Sequence, residues 1–341
     1  MTACSGATAA GGSPATRGRA SGFLDAFARP DGRVTRPDQG GDTVSEGQAY
    51  GLLLAEVAGK PAEFGRIWQW TRTHLQLPSG LFAYHASAAG RQLSQQAASD
   101  ADLLMAWALL RYHGPDAAAR HRDGRRVAAA VLAHEVTTGP GGVPVLAAGP
   151  WATGRPASLD PSYWALPALT GLARLTGDSR WQRLAAGAVA LAGRLTGGGR
   201  ALPPDWAKLT AAGGLAPEPA PDGSQPQTQY GLDAQRTVAW FAASCDPRAR
   251  GLAARWWALL RPAGRSQAQA LHPDGAVLDP APAPLPLVAA AAAARAAGQP
   301  RVSQRLLRQA GHDQRSHPTY YGGAWAALGP ALLTGPLGQA C

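Results

Sequence analysis

Four short segments set a carboxylate at the opening of an apolar run. Thr43-Val44-Ser45-Glu46-Gly47-Gln48 begins the first, and Ala98-Ser99-Asp100-Ala101-Asp102 the second. Asp160-Pro161-Ser162-Tyr163-Trp164 begins the third, and Tyr230-Gly231-Leu232-Asp233-Ala234-Gln235-Arg236 the fourth. Two carboxylates in different environments can divide acid and base work on one bond. The aromatic residues Tyr84, Trp151, Tyr163, Trp206 and Tyr321 could supply flat faces on which sugar rings stack. Carboxylates beside aromatic platforms form the constellation that cleavage of a glycosidic bond needs. Each carboxylate also has a structural explanation. Ser45 with Gln48 has capping-box spacing, and Ser99 with Asp102 is a near version of it. Asp160 before Pro161 is a good N-cap with proline at the first helical position. Acidic residues in a first turn are favoured by the helix dipole in any case. Taken singly, each reads more readily as a cap than as a catalyst. Four together shift the balance.

The elements that must position them are helical. Apolar residues at helical spacing predict helices over 20–28, 47–58, 64–75, 102–112, 127–136 and 163–175. The pattern continues over 181–195, 233–243, 252–260, 285–297, 302–310 and 320–333, and the alternation that marks strands hardly occurs. Some of these runs, such as 47–58 and 285–297, are apolar nearly all round and must be buried. Others carry arginines on one face, as in Arg66/Arg72, Arg122/Arg125/Arg126 and Arg301/Arg305/Arg308. The two kinds tend to alternate, which predicts an all-α, (α/α)6 toroid of inner and outer helices. A superhelical repeat array is the competing architecture, but loop lengths are irregular and no motif recurs at a fixed period. Long loops at 77–98, 137–159 and 195–229 each lead from an outer helix into the next inner one. In such a ring they share one face, where the inner-helix N-termini and their carboxylates converge.

Composition bounds the rest. The chain has 341 residues, 45% hydrophobic and 16% charged, which suits a large folded core and excludes disorder. No run of about 18 apolar residues offers a membrane span. The formal charge is +10, with Lys60 and Lys208 the only lysines. The arginines are scattered, so a generally basic surface is expected and no nucleic-acid partner. Cys4, Cys245 and Cys341 have no zinc-ligand spacing. Cys245 and Cys341 could pair, a question their spacing leaves open. Thr2-Ala3-Cys4-Ser5-Gly6 is similar to the end of a bacterial lipoprotein signal. Residues 1–16 are therefore read as a flexible stub, with Cys4 a candidate lipid site, and residues 17–341 as a single domain of an exported or cell-surface monomer. His74, His113 and His134 read as packed or surface residues, and Trp107, Trp240 and Trp325 as core.

Val44–Gly51, VSEGQAYG, and Ala98–Leu110, ASDADLLMAWALL, resemble two signature segments of glycoside hydrolase family 8. Leu202–Trp206, Asp160–Trp164 and 320–333 resemble further family segments in the expected order. The resemblance implies hydrolysis of β-1,4-linked polysaccharide with inversion, without metal or organic cofactor. It makes Glu46 the general acid, Asp233 the general base and Asp100 the residue that binds and distorts the sugar at the cleavage point. Local sequence agrees: an anionic Asp100 would raise the Glu46 pKa, and Arg236, three residues past Asp233, shares its helical face. Arg236, Tyr84, Trp151, Tyr163, Trp206 and Tyr321 are the expected substrate-binding residues. The chain departs from the family at Leu232, where an aromatic is common, at Gln96, where asparagine is frequent, and at Arg111-Tyr112-His113. An aspartate at 233 favours the branch with cellulases and xylanases over chitosanases. The expected activity is endo-β-1,4-glucanase, linked to cellulose export. The alternatives are a non-catalytic glycan-binding accessory protein of the same fold, or a family member acting on xylan or chitosan. A lyase acting on an anionic polymer would want arginines and a Tyr/His base where this chain has carboxylates.

Overall fold

The alternation of helix types resolves into two concentric rings in the computed structural model, which describes residues 12–338. The outer helices are α1 (Pro14–Phe27), α3 (Pro61–His74), α5 (Ala117–His134), α7 (Arg180–Leu195), α9 (Pro247–Leu260) and α11 (Pro300–Ser316). The inner helices are α2 (Ser45–Ala58), α4 (Ser99–Arg111), α6 (Leu166–Thr176), α8 (Leu232–Ala242), α10 (Pro284–Ala296) and α12 (Tyr320–Leu333). Each inner helix packs on the next, and α12 closes the ring against α2 and α1. This is the expected (α/α)6 toroid.

Small residues let the inner ring close. Six consecutive alanines, Ala289 to Ala294 of α10, are all fully buried. A Cβ at Gly171 of α6 would lie 2.5 Å from the Trp107 indole nitrogen of α4, so only glycine admits that crossing. Tyr50 of α2, Trp240 of α8 and Trp325 of α12 pack together between the inner helices. The Trp240 and Trp325 rings meet edge to face at 5.3 Å, and Tyr50 meets Trp325 at 5.9 Å. Trp107, Trp240 and Trp325 are buried core, as expected. Arg111, a departure from the family pattern, ends α4 far from the carboxylates. It pairs with Glu56 at 3.3 Å and lies 4.9 Å over the Trp107 ring.

Two expectations, the extent of the flexible stub and the near absence of strands, need correction. Residues 14–16 are not a flexible stub: they begin α1, capped by the Ser13 hydroxyl. Cys4 and Cys341 lie outside the described residues, while Cys245 is disulfide-bonded. The connections between helices carry nine short strands in four small sheets among the described residues: β1 (Thr43–Val44) pairs with β2 (His85–Ala86), and β3 (Val136–Thr138) with β4 (Pro144–Leu146). The largest joins β5 (Ala157–Leu159), β6 (Trp206–Leu209) and β7 (Leu215–Glu218). Strands this short leave no alternating pattern to read. Another connection, between α9 and α10, holds the hairpin β8 (Ala268–Leu271) and β9 (Val277–Pro282).

Ser45 and Gln48 do not form a capping box. Ser45 is already helical, and the fully buried Gln48 side chain turns instead toward α1's exit loop and α3. Its carbonyl accepts from Val34 N–H, and its amide donates to Thr71 Oγ1 at 2.7 Å and Gly32 O at 3.1 Å. Gln48→Ala would strand buried polar groups and should cost about 1–3 kcal/mol. Urea unfolding would show this as a lower midpoint at unchanged slope; an unchanged midpoint would contradict it.

Candidate active site

Helix starts do the positioning. Glu46, Asp100 and Asp233 are each the second residue of an inner helix, α2, α4 and α8. Asp160 caps the short 3-10 turn at 161–163 by accepting from Ser162 N–H at 2.8 Å; α6 itself begins later than expected, at Leu166. Helix dipoles therefore point positive ends at one place, which eases the gathering of carboxylates there. Each start is held from outside. Ser45 N–H donates to Tyr84 O at 2.9 Å, and Ser99 N–H to Ala148 O at 3.2 Å. Asp38 receives the Tyr320 N–H at the head of α12, 3.2 Å away.

Arg236 lies at the centre. Its Nη1 donates to Glu46 Oε2 at 2.7 Å, Asp100 Oδ2 at 3.0 Å and the Tyr50 hydroxyl at 3.3 Å. Its Nη2 donates to Asp233 Oδ1 at 2.9 Å and lies 3.7 Å from Asp160 Oδ2. The Arg236 side chain is only 3% exposed, buried against the carboxylates rather than open along the cleft. It is the cation beneath the carboxylates. The Tyr163 ring lies 5.4 Å from the guanidinium carbon and meets Trp206 edge-on at 6.4 Å.

One guanidinium cannot neutralise four carboxylates, so protons must remain in the cluster. Burial raises Glu46 to about 7; Asp100 and Asp233 add to the rise and Arg236 opposes it. Burial, more than Asp100, is thus the main cause, which amends the sequence expectation. Asp100 is also raised by burial, against Arg236 and the Ala101 N–H. Asp160 is driven well above the ordinary carboxylate range by burial and then by Asp233. Its Oδ2 has no hydrogen-bond donor, consistent with a retained proton. Arg236 stays charged: burial works against it, but nearby Tyr321, Tyr50, Asp233 and Glu46 outweigh that. Asp233 keeps the most solvent, with 31% of its side chain exposed against 20% for Glu46.

The expected aromatics divide. Tyr163 and Trp206 flank the carboxylates, half-buried. Tyr84 and Trp151 are 41% and 45% exposed on the loops that hold α2 and α4. The Trp151 indole donates to Ala97 O at 3.2 Å, which ties that ring beside the start of α4. Tyr321 is half-buried near Glu46 and Arg236, but the hydroxyl that reaches Glu46 Oε1, at 3.5 Å, belongs to Tyr320. Tyr320 and Tyr50 were not singled out from sequence; their only signal is position, one at a helix head and one a turn past Glu46. Asp102 is no capping residue either. Fully buried, it accepts from Phe82 N–H at 2.9 Å and faces the equally buried Glu135, whose carboxyl oxygens receive no hydrogen bond from elsewhere. Burial drives both carboxyls well above their ordinary range, which favours protons held at the pair.

The site gathers four carboxylates around one buried arginine at the helix starts of an α-toroid, and comparison with known proteins gives the family. The chain belongs to the glycosyl hydrolases family 8, whose model matches residues 7–258. A probable endoglucanase of Novacetimonas hansenii is 31% identical over 209 residues, 56% of this chain and 58% of that one. An endoglucanase of Cellulomonas uda is 32% identical over 197 residues, 56% of this chain and 55% of its own. The chain thus spans little more than half the length of these curated relatives. The crystal structure of a family 8 endo-β-1,4-glucanase from an Achatina fulica gut metagenomic library superposes with TM-score 0.75 at 26% identity, covering 91% of this chain and 95% of that one. The endo-β-1,4-glucanase CMCax of Acetobacter xylinum gives TM-score 0.74 at 26% identity, over 94% of this chain and 99% of that one.

The buried Asp102–Glu135 pair makes a stability prediction. Both pKa values are raised well above normal by burial, so the folded chain holds protons that the unfolded chain releases near pH 4. Stability from this pair is complete below that point and falls as pH rises. Glu135→Gln keeps a donor without a titrating proton, so the melting temperature should decline less steeply between pH 5 and 8 than in wild type. Identical slopes would contradict the raised Glu135 pKa.

Proposed function

We propose that this chain is an inverting endo-β-1,4-glucanase. The observation that carries the reading is that Glu46 and Asp233 bind different nitrogens of one buried guanidinium, under loops bearing exposed aromatics. Held apart across Nη1 and Nη2, they can act on opposite faces of a sugar. Glu46, raised to about 7, carries the proton for the leaving oxygen. Asp233, the most exposed of the four, takes a proton from the attacking water, and inversion follows from single displacement. Asp100, joined to the same nitrogen as Glu46, contacts the sugar at the cleavage point. Tyr163 adds a neutral hydroxyl among these groups: its own ionisation is opposed first by burial, then by Asp100 and Asp160. Tyr84, Trp151 and Trp206 provide stacking faces along the cleft.

The endoglucanase names of the relatives support glucan as the substrate class, and the protein works as an exported monomer. No helix among the described residues is long and apolar enough to cross a membrane. Where the family commonly has an aromatic, Leu232 lines a hollow of about 380 Å³ beside Asp233, with Gln225, Gln227, Gln229 and Gln269 around it.

Reducing-end release from carboxymethylcellulose, mixed-linkage glucan, xylan and chitosan tests the proposal. Glucan should be cleaved, with the α-anomer of the new reducing end formed first by proton NMR. Glu46→Gln, which keeps the shape but not the transferable proton, should lower kcat by about 10²–10⁴-fold. Release from xylan alone would reassign the substrate, and binding without release from any polymer would leave a glycan-binding accessory protein. Because Glu46 must hold its proton, wild-type kcat/KM should fall as pH rises through about 7. A rate still rising from pH 7 to 9 would exclude Glu46 as the acid.

A further inference from the structure

We propose that Asp205 is a positioning residue for the reaction, capping α8 from outside the helix and so fixing where Asp233 points. The inference rests on the reading of Asp233 as the base. The first N–H groups of any helix lack partners within it. In α8 the preceding residue is Gly231, which has no side chain to offer them. Asp205, just before β6, supplies the missing acceptor. Its Oδ1 accepts from Gly231 N–H at 2.9 Å and from Ala234 N–H at 2.7 Å, on either side of Asp233 in sequence. Its Oδ2 accepts from Gln229 Nε2 at 3.0 Å, and its own N–H donates to Gln229 O at 2.8 Å.

The fit depends on Gly231. A Cβ there would lie 2.4 Å from Asp205 Oδ2 and 2.6 Å from Gln229 Nε2, so any other residue pushes the carboxylate off the helix start. Asp205 is 1% exposed, which rules out contact with a polysaccharide and leaves an indirect role. The titratable groups facing it are Asp233 and Tyr230. Burial, with Asp233 next, raises Asp205 to about 7, and its three N–H donors oppose the rise. Asp233 is therefore held twice: its carboxylate by Arg236, and its backbone by Asp205. Tyr230 has a separate anchor, a two-way backbone bridge to Leu271 of β8. Loss of the Asp205 acceptors should thus loosen residues 231–234 while the segment before them stays in place.

The test measures kcat and KM on carboxymethylcellulose for Asp205→Ala, Asp205→Asn and Gly231→Ala, with amide hydrogen exchange over residues 231–236. A small displacement of a catalytic group can cost on the order of 100-fold. Asp205→Ala and Gly231→Ala should lower kcat by about 10–100-fold, with KM essentially unchanged and faster exchange at 231–236. Asp205→Asn keeps an oxygen for both backbone N–H groups, and its amide can face a flipped Gln229. It should retain kcat near wild type. Wild-type kcat in Asp205→Ala, a loss confined to KM, or Asp205→Asn as impaired as Asp205→Ala would each overturn the proposal. If wild type cleaves no glucan, the glucanase reading fails by itself, and exchange at 231–236 still decides the cap: unchanged rates in Asp205→Ala would overturn it.

Discussion

A single buried cation organises this molecule. Removing a guanidinium from water costs several kcal/mol even after relaxation, so Arg236 persists only because opposite charge and hydrogen bonds surround it. Its partners come from α2, α4, α8 and the turn before α6, so the requirement to satisfy one side chain fixes how four parts of the ring converge. The same requirement sets the chemistry. With fewer positive than negative groups, the cluster favours retained protons, and burial lifts Glu46 to about 7. Scaffold and proton supply share one cause.

A second constraint is that the inner helices bearing Glu46, Asp100 and Asp233 begin without side-chain caps of their own. Gly231 cannot cap α8, and neither Val44 nor Ala98 makes a side-chain cap for α2 or α4. The orphan N–H groups are met from elsewhere: Tyr84 and Ala148 offer carbonyls, and Asp38 and Asp205 offer carboxylates. Every one of these acceptors lies on a connecting segment. The loops that carry the exposed aromatics are thereby fastened to the helix starts that bear the carboxylates.

Much of this was legible in the sequence. Apolar and arginine-faced helices alternate because a double ring has buried and half-buried members, and that pattern survives in single residues. Each of the twelve expected helices is present, but α1, α5 and α9 begin six, ten and five residues earlier than periodicity placed them, and α11 ends six residues later. The converging carboxylates Glu46, Asp100 and Asp233 were visible as acidic openings of buried helices. The role of Arg236 was half visible. Its i,i+3 relation to Asp233 is local, whereas its bonds to Glu46 and Asp100 span 190 and 136 residues and have no local signature. Local motifs also misled: Ser45/Gln48 has capping-box spacing, yet Gln48 serves α1's exit loop and α3. Strands of two to six residues, and the choice between adjacent Tyr320 and Tyr321, depend on tertiary contacts that no periodicity encodes.

The most direct test of the account is the protonation of Glu46 itself. Infrared difference spectra between wild type and Glu46→Gln, recorded from pH 5 to 9, isolate the carbonyl stretch of its neutral carboxyl. The account predicts a band present at pH 5 that disappears with a midpoint near 7. No band at pH 5, or a midpoint at the ordinary glutamate value of about 4.3, would show that Arg236 neutralises the cluster completely and would contradict it.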